Sequence, residues 1–203
     1  MEITLLGTHD WKQWRNDGAT EVGPFEVFRI TGNEVIGDEN VALGELPSTT
    51  FGRSYAVNGP MAVPASGYGV YQSGPEVLVA YDTGTPAVGD SYGPKPSQGT
   101  VVKNYPATCE CLGIVDSTNK IMRARWHPID HIIGKLAGSL SQGSTATVNV
   151  WAGAGGSEAV ITSLTVTGRD WLMKTGATAI ASGKKVVVEW IDGVPYVVEA
   201  ECP

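Results

Sequence analysis

Charge is scarce in this chain. Only 17% of the 203 residues are charged, and the 14 Lys and Arg are outnumbered by 21 Asp and Glu, for a net charge of −7. No basic block occurs, and Arg123-Ala124-Arg125 is the densest cluster. Duplex nucleic acid is held mainly by phosphate neutralisation, so no nucleic-acid partner is expected. Long apolar runs are also missing, which excludes a membrane-spanning helix and gives no reason to expect a membrane partner. The start, Met1-Glu2-Ile3-Thr4-Leu5-Leu6-Gly7, lacks the basic and apolar stretches of a secretion signal, so synthesis and folding in the cytoplasm are expected.

The groups that carry chemistry are equally sparse. Three cysteines, Cys109, Cys111 and Cys202, are an odd number without a secretory context, which argues against a disulfide framework. On a strand, Cys109 and Cys111 would share one face and act as small core residues. His127 and His131 are four apart, but His9 is the only other histidine, so the ligand set for a metal falls short and no metal is expected. There is no Gly-x-Ser-x-Gly elbow. Gly153-Ala154-Gly155-Gly156-Ser157 has neither the Lys-Ser/Thr nor the following helix of a phosphate cradle, and it reads as a hairpin loop. The carboxylates Asp82, Asp90 and Asp116 sit in turn contexts, where Asp bonds nearby backbone. Nothing selects a catalytic pair, so neither enzymatic activity nor a cofactor is expected.

What the chain has is punctuation: 26 glycines and 12 prolines, with a hydrophobic content of 42% that suffices for a core. Long helices are not expected. Short β-type runs recur between turn residues: Phe25 to Ile30, a possible pair near Glu34-Val35-Ile36 broken by Gly37-Asp38, then Arg53 to Val57, Tyr68 to Tyr71, Val77 to Tyr81, Thr100 to Val102, Thr108 to Val115 and Lys120 to Trp126. Asp82 to Gly99 reads as a long irregular excursion. Trp126 to Leu136 is the one place where a helical turn looks natural, and Gly138 to Ser144 has linker composition. Beyond it lie Thr145 to Trp151, Ala159 to Thr167, Lys184 to Ile191 and Val194 to Glu201.

The spacing predicts an all-β fold of two small barrel or sandwich modules with an N-terminal arm: arm 1–16, first module 17–126, linker 127–144, second module 145–203. The strongest local signal is Asp192-Gly193 between two β-branched runs, a two-residue hairpin placing Ile191 opposite Val194, Val188 opposite Val197 and Lys184 opposite Glu201.

Aromatic residues are the remaining handle for a partner. Trp11 and Trp14 lie three apart near the terminus and either fold back onto the core or anchor the chain on a neighbour. Tyr68, Tyr71, Tyr81, Tyr92 and Tyr105 cluster in the loop-rich middle, where rings stack on sugars, meet another protein or fill a core. The candidate partner-binding set is Trp11, Trp14, Phe25, Phe28, Tyr81 and Tyr92.

Three stretches carry a resemblance: Arg15-Asn16-Asp17-Gly18 through Val22-Gly23-Pro24-Phe25-Glu26-Val27-Phe28-Arg29-Ile30-Thr31-Gly32; Tyr81-Asp82-Thr83-Gly84-Thr85-Pro86-Ala87 with Gly89-Asp90 and Tyr92-Gly93-Pro94-Lys95; and the ending Tyr196 to Pro203. With them the chain, over roughly residues 15–203, resembles an uncharacterised family of tailed-bacteriophage and prophage structural proteins. The resemblance implies a virion protein of small β modules: a head decoration, neck or tail component docking on other virion proteins and expected to be a homo-oligomer in the particle. It offers no catalytic residues. The alternative is a carbohydrate- or receptor-binding module of a phage fibre or spike, and a cell-wall hydrolase ranks last.

Overall fold

The structure is a computed structural model that describes residues 10–48, 55–105, 108–126, 131–152, 159–168, 178–191 and 194–201. The described chain is all-β, with fifteen strands in three sheets.

The first sheet contains β1 (Asp10–Asn16), β2 (Val27–Ile36), β3 (Glu39–Glu45), β4 (Tyr55–Asn58) and β5 (Tyr68–Ser73), closed in the order β1-β3-β2-β4-β5. Only the β1/β3 contact is parallel, at Trp14↔Ala42, Arg15↔Leu43 and Asn16↔Gly44. β2 and β3 form a hairpin through Gly37-Asp38, and Gly37 supplies the positive φ (63°) that a tight turn needs. Inside the barrel, Trp14 stacks on Phe28 with ring centroids 3.8 Å apart, and Phe28 meets Tyr71 edge-on at 5.8 Å. The stacked ring lies against Gly44, where a Cβ would come within 2.4 Å of Phe28.

The second sheet has β6 (Glu76–Ala80), β7 (Ser91–Pro94), β8 (Val101–Lys103), β9 (Cys109–Asp116) and β10 (Ile121–Trp126) in the order β6-β10-β9-β7-β8. Its two edges meet at one parallel bridge, Tyr81↔Val101. Taken strand for strand, this repeats the first barrel: first parallel to third, and antiparallel contacts third to second, second to fourth, fourth to fifth and fifth to first. The two sheets share a core. Val27, Tyr55 and Val57 from the outside of the first barrel pack with Val77, Val79, Tyr81, Tyr92, Cys109, Cys111 and Met122. Strand alternation explains this, because Val27 and Phe28 point to opposite faces of β2 and each face is covered. The first two sheets therefore form one packed unit.

The third sheet, β11 (His131–Leu136), β12 (Thr145–Ala152), β13 (Ala159–Thr167), β14 (Lys185–Ile191) and β15 (Val194–Ala200), closes in the order β11-β12-β13-β15-β14. Its parallel contact is β13 with β15, at Thr167↔Tyr196. Started at β13, the ring runs β13-β15-β14-β11-β12, the cyclic order and strand directions of the first barrel. It is a circular permutation of the same barrel. Its core, including Ile132, Leu136, Leu140, Val148, Val150, Val166, Val188 and Val197, draws only on residues 132–200.

One turn recurs at five strand entrances. An apolar residue (Val22, Val63, Pro86, Leu140, Ile180) is followed three positions later by a residue with φ between 59° and 89° (Phe25, Ser66, Gly89, Gly143, Gly183). One position further on, the N–H of Glu26, Gly67, Asp90, Ser144 or Lys184 donates across the turn to the C=O of Gly23, Pro64, Ala87, Ser141 or Ala181, at 2.9–3.4 Å. The strand starts at the next residue: Val27, Tyr68, Ser91, Thr145 or Lys185. A positive φ at the third turn position is the mark of a type II turn. In each closed barrel the two apolar residues pair with each other, Val22↔Val63 and Leu140↔Ile180, across the end of the barrel.

These observations correct several expectations. The strands form three five-stranded sheets, and the 17–126 segment holds most of two of them. In its described part the expected arm 1–16 is β1, a wall strand paired on both sides. His131–Leu136, expected as a helical turn and linker, is β11, with Ile132 and Leu136 buried. The Asp82 to Gly99 excursion contains β7. β3, begun at Glu39, was not anticipated beyond Gly37-Asp38. The β14/β15 hairpin pairs Ile191 with Val194 and Val188 with Val197 as expected, but the register then shifts, giving Val187↔Glu199 and Val186↔Ala200. The extra residue on β15 puts Lys185, not Lys184, beside Glu201, whose N–H donates to the Lys185 C=O at 2.9 Å.

Candidate functional site

Of the six aromatic residues expected at a partner surface, five are core residues: Trp14, Phe25, Phe28, Tyr81 and Tyr92. Phe25 occupies the positive-φ position of its turn and packs on Leu78, Ala80 and Ile121 of the second sheet. Burial pushes the Tyr92 hydroxyl pKa up to about 12, with Asp90 adding to the rise. These side chains stabilise the fold and present no surface to a partner. Trp11 alone is partly exposed. Residues three apart on a strand face opposite sides, so Trp11 points away from the face that carries Trp14.

The polar residues that organise the first barrel carried no motif. Asn58 is fully buried; its Oδ1 accepts from Trp14 Nε1 at 3.1 Å, and its Nδ2 donates to the carbonyls of Gly23 and Met61 at 2.8 Å and of Val22 at 3.3 Å. Asn16, also buried, donates to the Val63 carbonyl at 2.9 Å and to that of Thr20 at 2.8 Å. The two Asn thus clasp the Val22↔Val63 bridge crosswise, Asn16 at the end of β1 holding Val63 and Asn58 at the end of β4 holding Val22. Gln72 gives its carbonyl oxygen to the Leu78 N–H (2.7 Å) and its amide to the Leu78 C=O (2.9 Å), occupying the free edge of β6.

The wall of this barrel opens at one place. β1 and β3 are paired from Trp14 and Ala42 onward, whereas Trp11, Lys12 and Gln13 pair only with β5, and Glu39, Asn40 and Val41 only with β2. Between the diverging strands lies an open cleft of about 540 Å³ lined by Trp11, Lys12, Gln13, Asn33, Glu39, Asn40, Ala42 and Tyr71. Burial raises the pKa of the Tyr71 hydroxyl. The β2/β3 hairpin forming one side runs on past the seam, and Val35 and Ile36 near its tip are 71% and 46% exposed. Next to it, on the outer wall, Arg15 donates to Glu34 at 2.7 Å and to Asp17 at 3.0 Å.

The tyrosines do not form a single array. Tyr81 and Tyr92 are buried, Tyr71 lines the cleft, Tyr68 is exposed with its hydroxyl 3.4 Å from Glu34, and Tyr105 sits half-buried in a turn. His131 is exposed on β11 opposite Glu189, while His9 and His127 lie outside the described residues. Among the described residues, no three His, Cys, Asp or Glu side chains converge as metal ligands would. Cys109 and Cys111 are free and buried on one face of β9, and burial raises both thiol pKa values. Asp90 is held below the usual carboxylate range by Lys103, 2.7 Å away, and by the Ala87 N–H that completes its turn. Compared with known proteins, the chain matches no family model, no curated protein and no solved structure.

Proposed function

We propose that the chain is a structural component of a tailed-phage particle, made in the host cytoplasm and incorporated into the virion, which works by docking on other virion proteins. The carrying observation is the β2/β3 hairpin. It extends beyond the barrel seam, keeps one strand edge unpaired over Glu39 to Val41 among the described residues, and exposes Val35 and Ile36. Exposed apolar side chains beside an open strand edge are the features of a surface that another protein covers. The resemblance over residues 15–203 supports the same reading, as does the build of the chain from repeated barrel units. The attachment surface passes from the buried aromatics to this hairpin, and the docked component is expected to form a homo-oligomer in the particle.

Peptide mapping of purified particles tests the proposal. The chain is expected at an integral copy number per particle symmetry, and changing Val35 and Ile36 together to Asp is expected to lower that number several-fold while the isolated protein stays folded. A chain absent from washed particles refutes the reading.

A further inference from the structure

The outer face of the third barrel holds an apolar stripe, open at Ile133 and Val160, which are 60% and 50% exposed. Ile132, Val150, Val186 and Val188 point into the core, so alternation turns Ile133, Trp151 and Val187 outward. Ile133 pairs with Val187 across β11 and β14, and Trp151 pairs with Val160 across β12 and β13, where a register shift turns Val160 to the same side. The Lys135 ammonium lies 4.6 Å from the Trp151 ring centroid and joins the two pairs. Beside Ile133 a hollow of about 210 Å³ opens between Lys185, Val187, Glu199 and Glu201. Charges of both signs flank the stripe: on β14, Lys185 lies two residues before Val187 and Glu189 two after it. Among the described residues, the side chains of Lys185, Glu189 and Glu199 make no ion pair.

The equivalent face of the first barrel is covered. Their positive-φ turns, at Phe25 and Gly183, align Val27 with Lys185. Val27 pairs with Val57 and Arg29 with Tyr55, as Lys185 pairs with Lys135 and Val187 with Ile133. Lys135 and Ile133 thus hold the places of Val57 and Tyr55, which pack with the second sheet. Where the first barrel has two valines the third has two lysines, so its cover has to answer charge as well as apolar surface.

We propose that a second copy of the chain docks on this face, stripe against stripe, about a two-fold axis. An axis along the stripe lays β14 antiparallel over its copy, so Lys185 of each chain meets Glu189 of the other around the apposed Val187 side chains. Lys135 then meets His131 of the second copy, whose imidazole can accept its hydrogen bond. Competing occupants fit less well. A strongly acidic or basic partner meets charge of both signs, and a wholly apolar sheet leaves both lysines unpaired. Four strands about 4.8 Å apart and five residues at about 3.4 Å each give roughly 300 Å² in plan per copy, the size of a weak interface. This face is separate from the β2/β3 hairpin, and self-association of the isolated chain reads it without a particle.

Sedimentation equilibrium of the full chain tests the contact. A monomer–dimer equilibrium with a dissociation constant of about 300 µM or tighter is expected. Ile133→Glu, at a site whose exposure leaves the circular dichroism of the fold intact, is expected to weaken it at least about tenfold. Lys185→Glu is expected to weaken it about fivefold, and adding Glu189→Lys to restore it to within about twofold of the original. A chain still monomeric at about 1 mM overturns the proposal, as does a dimer that Ile133→Glu leaves unchanged. So does a Lys185→Glu, Glu189→Lys double variant no tighter than the single one. A dimer lost when Val35 and Ile36 are changed to Asp but kept in Ile133→Glu overturns it as well, and moves the self-contact to the hairpin.

Discussion

Asn58 is the residue on which the first barrel depends most for its size. Replacing it with Ala leaves the Trp14 indole N–H, now 3.1 Å from Oδ1, without an acceptor in a fully buried site. It also removes donors from three carbonyls. Two keep a second partner, because the Val22 C=O accepts from the Val63 N–H at 2.8 Å and the Gly23 C=O from the Glu26 N–H at 3.3 Å. The Met61 carbonyl loses its 2.8 Å bond. A buried unsatisfied group costs roughly 1–3 kcal/mol and a lost ordinary bond about 1 kcal/mol, so the expected loss is about 2–4 kcal/mol. Because the chain contains several sheets, a global midpoint would blur the effect. Amide hydrogen exchange resolved by peptide reads it locally: protection in 55–73 should fall roughly 30- to 1,000-fold. In a Trp14→Phe background, where the indole N–H is already gone, the same change should cost about 1 kcal/mol less or better. A drop under about threefold, or an equal drop in both backgrounds, would show that the clasp does not hold the barrel end.

The recurrent turn makes paired predictions. Ser66, exposed at φ 60°, should gain about 0.5 kcal/mol as Ser66→Gly, while Gly143→Ala at φ 66° should lose about 1 kcal/mol, both by thermal or urea denaturation; effects of the same sign would refute the turn assignment. Asp90 has a lowered folded pKa, so its contribution is present above the unfolded value of about 3.9 and is lost as pH falls through the lower folded one. Carboxyl NMR should place its titration below that of an exposed Asp, and Lys103→Met should move it back up. Cys109 and Cys111, with raised thiol pKa values, should resist maleimide at neutral pH until denaturant is added; native labelling at the denatured rate would contradict their place in the shared core.

Strands were readable where one face alternates or where turn residues bracket a β-branched run, as in β9, β10, β12, β13 and the β14/β15 hairpin. Four strands were hidden for identifiable reasons. β1 is rich in polar and aromatic residues because only Trp14 and Asn16 reach the interior. β3 carries Glu39 and Asn40 on a part that leaves the wall. β7 contains Gly93 and Pro94, which read as loop. β11 lies in the Trp126 to Leu136 stretch, which read as a helical turn. The five-fold turn could have been found by spacing alone, since an apolar residue precedes a Gly or turn residue by three and a strand by five. With only three glycines at the positive-φ position, Phe25 and Ser66 disguised it.

The aromatic set shows the limit most clearly. By sequence, Trp11 and Trp14 are a pair and Tyr81 and Tyr92 are loop tyrosines; which of them face water depends on strand phase and on a second sheet packing over the first, both long-range properties. The open seam is equally invisible, because it arises where β1 and β3, whose paired residues are 28 positions apart in the chain, stop pairing. The sequence by itself determined that this would be an all-β protein with a core and few charges, since glycine and proline spacing sets short strands and apolar content sets burial. Only the tertiary structure decided that there are three related sheets, that the expected contact aromatics are core, and that the cleft lies between β1 and β3. Those outcomes depend on which strands meet across the ring, and local propensity does not choose that.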